Sequence, residues 1–178
     1  MRFIIATLLL TFSLNANATH HRGHAVERLN GVVSNLTVSV KFAENLYNNP
    51  AMSDSDRFHI NKYILYTNKY INLTNKAIDQ LNDPRIPLDE IRNLLNAPGV
   101  PGNMEAVDWG TKVASDIIIN LIYDGFPDPF RVKKIISLSN KAAGFAAWAN
   151  WHIQDGIREE VYLDQVFICS GPGNHCGN

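Results

Sequence analysis

The stretch PFRVKKIISLSNKAAGFAAWANWHIQDG, residues 129–156, decides the fold class of this chain. Asp128 and Pro129 open it as a cap residue followed by proline at the first helical position. Ser139, Ala142, Ala143, Ala146 and Ala149 then fall on one side of a helix, with Ile135, Ile136 and Ile153 at its ends. Small residues at that spacing let a second helix approach closely. Leu138, Phe145, Trp148, His152 and Asp155 share another side at helical spacing and form an aromatic ridge. Gly144 weakens the helix by up to about 1 kcal/mol against alanine, so its expected use is to admit a large neighbouring side chain.

Upstream segments read as helices that cover this one. Residues 26–47 carry Val26, Leu29, Val32, Val33, Leu36, Val40, Ala43 and Leu46 at spacings of mostly three and four, and Asn48-Asn49-Pro50 stops the pattern. Ser53 or Asp54 caps a second helix over 54–81. Two stripes run along it, one of Tyr63, Tyr66, Tyr70, Leu73 and Ala77, the other of Ile60, Ile64, Ile71, Ile78 and Leu81. Asp83-Pro84 ends it. A short helix follows over 88–96, then a corner at 97–102. A fourth helix is expected over 104–123, and its apolar end, 117–123, predicts deep burial. Beyond Gly156 the apolar pattern resumes at Ile157, Val161, Leu163 and Phe167, either as a continuation or as a new short helix. No segment alternates as a strand does. The fold class is therefore all-α: an irregular antiparallel bundle of four to five main helices with a short, disulfide-closed C-terminal tail.

The first eighteen of the 178 residues read as a signal peptide. Arg2 supplies the positive start, residues 3–14 the apolar run, and Ala16-Asn17-Ala18 the small-x-small cleavage site. Residues 19–178 then form a single helical domain, exported to a periplasmic or extracellular compartment. Sixteen basic residues balance seventeen acidic ones, a net charge of -1, without a basic patch. That argues against nucleic acid as partner, and no second apolar run is long enough for a membrane span. In an oxidising compartment Cys169 and Cys176 read as a disulfide closing the tail; a metal set of Cys169, His175 and Cys176 is the lesser reading.

Three candidate sites follow. Trp148, His152 and Asp155 form the first, a ligand- or partner-binding turn at the end of the long helix. A carboxylate one turn from an imidazole fixes its tautomer and raises its basicity. The same pair, with Glu159 or Glu160 nearby, is the low-ranked catalytic candidate, without an accompanying nucleophile motif. The second is a metal site at His20, His21 and His24. Cleavage after Ala18 would expose Thr19-His20-His21, a free amine with a histidine in third position, which suits Cu(II) or Ni(II). The third is a pair of glycosylation sequons at Asn35 and Asn72. These observations point first to a soluble exported binding protein without catalysis, engaging a protein partner in the manner of an inhibitor or immunity protein. Metal handling through the N-terminus and a hydrolase using His152 and Asp155 are the alternatives.

Overall fold

The computed structural model describes the backbone of residues 2–95, 118–119 and 128–170, with side chains over residues 20–92, 118–119 and 128–161. Helix α1 spans Arg2–Tyr47, α2 Asp54–Leu81, α3 Leu88–Leu95 and α4 Pro129–Ser170. The described residues contain no strand. None of their helices is long and apolar enough to cross a membrane.

The helix ends follow the local chemistry. Ser53 caps α2: its Oγ accepts the amide of Asp56 at 3.1 Å and donates to the Asp56 carboxylate at 2.6 Å. Asp128 caps α4 by accepting the Arg131 amide at 3.1 Å. One end differs from the sequence expectation, and at another the structure decides between two alternatives. The first helix does not begin near Val26 but runs back through the histidine-rich segment. Helix α4 continues through Gly156 to Ser170, so the resumed apolar pattern is a continuation.

The buried positions explain both extensions. In α1 they include Arg22, Ala25, Leu29, Val32, Leu36, Ser39, Ala43 and Leu46. In α2 they are Ile60, Tyr63, Thr67, Tyr70, Thr74, Ala77 and Leu81. In α4 they include Val132, Ile135, Ser139, Ala142, Ala146, Ala149, Ile153 and Gly156. Each series steps by alternating threes and fours, a 3.5-residue period. That is the period of helices wound gently around one another with interlocking side chains. The seam of α1 thus reaches upstream to Arg22, and that of α4 passes through Gly156.

Two apolar clusters fix the directions. Ala25, Leu29, Val32 and Leu36 of α1 pack with Tyr70, Ala77 and Leu81 of α2 and with Ala142 to Ile153 of α4. Ala43 and Leu46 pack instead with Ile60 and Tyr63 of α2 and Val132 and Ile135 of α4. Helix α1 therefore runs antiparallel to both α2 and α4, which run parallel to each other. Each fully buried leucine or isoleucine contributes roughly 1.5–3 kcal/mol to this core. Ile118, at the apolar end of the expected 104–123 helix, is fully buried in the second cluster. Ile119 apart, the rest of that helix, the corner at 97–102 and the side chains of the expected Cys169–Cys176 bridge lie outside the described residues.

At two levels of the seam, polar groups tie the helices to one another through hydrogen bonds. Midway, the Tyr63 hydroxyl of α2 donates to Ser39 Oγ of α1 at 2.7 Å and lies 2.9 Å from Ser139 Oγ of α4. Ser39 passes its own proton to the Leu36 carbonyl at 2.8 Å. Burial pushes the Tyr63 phenol above its ordinary pKa. At the other level, Arg22 donates to the Ile86 carbonyl at 2.7 Å and to Glu160 Oε1 at 3.0 Å. Glu160 Oε2 accepts the Leu88 amide of α3 at 3.3 Å. The Arg22–Glu160 pair thus ties α1 to α4 and to the start of α3.

Glycines mark the close approaches. Gly31 holds the Phe145 ring, whose nearest atom lies 2.9 Å from where a Cβ would stand. At Gly156 that position would be 2.6 Å from Leu88 Cδ1 and 3.3 Å from His21 Cβ. Gly144 faces open space, so the expectation that it admits a large side chain is corrected: Gly31 does so, from the facing helix.

Candidate functional site

The antiparallel pairing of α1 with α4 sets the start of one seam against the end of the other. Arg22 and Ala25 lie level with Ile153, Gly156 and Glu160, as the Arg22–Glu160 bond and the His21–Gly156 approach record. The residues just before those seam positions meet across the joint. His21 precedes Arg22, His152 precedes Ile153, and Glu159 precedes Glu160.

This joins two sites that are separate in sequence. His21 Nδ1 lies 3.3 Å from His152 Nδ1. His24 stacks on His152, with ring centroids 5.0 Å apart and planes within 19°. His20 and His24, one turn apart on α1, bring their Nε2 atoms to 3.1 Å. The four imidazoles form one continuous cluster along the α1–α4 joint, with the Trp151 ring edge-on to His152 at 4.8 Å.

Carboxylates stand at the far side of two of these rings. His21 Nε2 faces Glu159 Oε1 at 3.5 Å and Asp155 Oδ2 at 3.8 Å. His24 Nδ1 faces Glu27 Oε2 at 3.6 Å. A carboxylate favours the proton on the nitrogen it faces. In a neutral His21 with its proton on Nε2, the Nδ1 lone pair faces His152. In a neutral His24 with its proton on Nδ1 toward Glu27, the Nε2 lone pair faces His20. Burial, and then the neighbouring His24, His21, Arg28 and His20, hold the His152 pKa below the ordinary imidazole value. The cluster therefore favours neutral His152. Among the described residues, no three side chains of histidine, cysteine, aspartate or glutamate converge on a single metal position.

His152 and Asp155, one turn apart in sequence, share no hydrogen bond or ion pair in the described structure. Asp155 instead faces His21 and Arg158, the latter at 3.5 Å. The third member of the first candidate site, Trp148, points away. Trp148 and Trp151 are 59% and 51% exposed, edge to face at 6.2 Å. With Ala147 they line a shallow hollow of about 250 Å³. A second hollow of about 540 Å³ lies between Trp148, Phe145 and Gly144 on α4 and Arg28 and Asn35 on α1, with Lys141 at its rim. Trp148 forms a wall of both. The Asn35 side chain donates to the Gly31 carbonyl at 2.8 Å, and Asn72 is exposed on α2.

The direct His21–His152 pairing, the position of Glu159 behind it and the Arg22–Glu160 tie are absent from the sequence expectations. Aligning the α1 and α4 seams head to tail would have brought them together. Side chains of Thr19, Cys169, His175 and Cys176 lie outside the described set. Comparison with protein-family models, curated proteins and solved structures gives no match to the chain.

Proposed function

We propose that the chain is an exported helical binding protein that acts without catalysis and engages a protein partner through the outer face of α4. The carrying observation is the exposed tryptophan pair. A helix of this bundle buries its seam and gains nothing by showing two large indoles to water. Trp148 and Trp151 lie one turn apart on the face opposite the small-residue seam, and Trp148 stands between two hollows. Tryptophan anchors seated in a partner's pocket dominate many protein interfaces. Arg28 and Lys141 at the larger hollow favour a partner with acidic groups beside an apolar patch. Residues 1–18, read as an export signal, support an encounter outside the cytoplasm.

Photo-crosslinking from position 147, which lines the hollow beside the indoles, tests this in the exported fraction of the native host. A discrete adduct is expected, lost in the Trp148→Ser/Trp151→Ser double variant. The double variant should unfold within about 0.5 kcal/mol of the parent, as exposed substitutions do. A large loss of stability would make the indoles structural. An adduct unchanged by the double substitution would remove this face from the interface.

A further inference from the structure

We infer that His21 of α1 and His152 of α4 clamp a divalent late first-row transition-metal ion, with His20 and His24 supplying further nitrogens from the same cluster. Each pair already has the separation of two ligands on one ion. Zinc–imidazole bonds of about 2.0–2.1 Å place two nitrogens of a tetrahedron about 3.3 Å apart. The His21–His152 and His20–His24 pairs stand at 3.3 and 3.1 Å. Imidazole nitrogens suit Zn(II), Cu(II) and Ni(II).

The surroundings strengthen the case. A ligating histidine usually presents its other ring nitrogen to a carboxylate, which fixes the tautomer and makes the ligand more basic. Glu159 and Asp155 stand behind His21 in that way, and Glu27 stands behind His24. Each close nitrogen pair thus contains one histidine with a carboxylate at its back. Each close pair can share one N–H···N hydrogen bond, and an ion takes the place of that proton and accepts both lone pairs. Bringing both pairs onto a single ion requires side-chain rotation, since no three donors converge as the rings now stand. His20 and His24 lie toward the exposed edge, where such rotation displaces no core side chain.

This site differs from one made by a free amino terminus at Thr19. That arrangement needs His21 and two backbone nitrogens but not His152. The clamp needs His152, which lies 131 positions away from His21.

The test uses the purified chain with its natural amino terminus and no affinity histidines, titrated with Zn(II) against a chromophoric chelator. One equivalent is expected to bind and to raise the melting temperature. His152→Gln should weaken binding at least tenfold and remove the thermal shift, whereas His59→Gln, on α2 and outside the cluster, should leave both unchanged. If His152→Gln folds poorly, His20→Gln at the exposed edge provides the second reading and should also weaken binding. Zn(II) binding equal in the parent, His152→Gln and His20→Gln chains overturns the clamp. So does a parent chain that binds Zn(II) no more tightly than a chain lacking all four histidines. Cu(II) binding that survives His152→Gln but fails in His21→Gln assigns the ion to the amino terminus and equally overturns it.

Discussion

Three glycines of this chain have opposite meanings at the scale of the single residue. Gly144 sits in the middle of α4 with nothing near its absent side chain. Alanine there should stabilise the protein by up to about 1 kcal/mol, the helix-propensity difference. Gly156 sits at a three-way approach of α4, α1 and α3, where an added Cβ would meet the Leu88 side chain and the His21 Cβ. Gly156→Ala should destabilise by about 1–3 kcal/mol despite alanine's better propensity, because overpacking outweighs it. Urea unfolding of the two variants gives the opposite signs directly, and a common sign would refute the packing argument. Gly31 belongs with Gly156, since Phe145 occupies its space.

At the scale of the element, caps and breakers were legible and seam polarity was not. Ser53, Asp128-Pro129, Asn48-Asn49-Pro50 and Asp83-Pro84 act within a few residues of themselves, so α2 begins and ends where their chemistry puts it. The inner face of α2 was harder. Its buried series passes through Thr67 and Thr74, between the two apolar stripes, and leaves Tyr66 exposed. Threonine at a seam looks polar in sequence, yet Thr74 Oγ1 bonds back to the Tyr70 carbonyl at 2.7 Å and buries its methyl. Arg22 concealed the start of α1 in the same way. Its guanidinium is held by Glu160 and the Ile86 carbonyl, so a charge occupies a seam position. The His21–His152 pairing was illegible for a different reason: it depends on how two helices line up across the joint, which neither helix states alone. Arg22→Met keeps the stem and removes the charge, leaving Glu160 without its partner. The cost should be about 2–4 kcal/mol, as for breaking a largely buried ion pair. Chemical denaturation measures it. Hydrogen exchange should show α3 loosening with α1, because Glu160 also holds the Leu88 amide.

At the scale of the whole molecule, three long helices share one repeat and one polar level. Tyr63→Phe removes the hydroxyl bonded to both Ser39 and Ser139 and should cost about 1–2 kcal/mol, measured by the shift in urea midpoint at unchanged slope. Tyr66→Phe, on the exposed side, should change stability by less than about 0.5 kcal/mol. The energy is the smaller part of what this level does. A seam that repeats every seven residues nearly matches itself when one helix slides by a single repeat, about 10 Å. Leucine, isoleucine and alanine would tolerate such a slip with modest loss. The tyrosine and its two serines would not, since the bonds that join them across the helices would then be unmade. The Tyr63–Ser39–Ser139 level is therefore a registration mark. It selects one alignment of α1 against α4 from several near-equivalents, and that alignment is the one in which His21 arrives opposite His152.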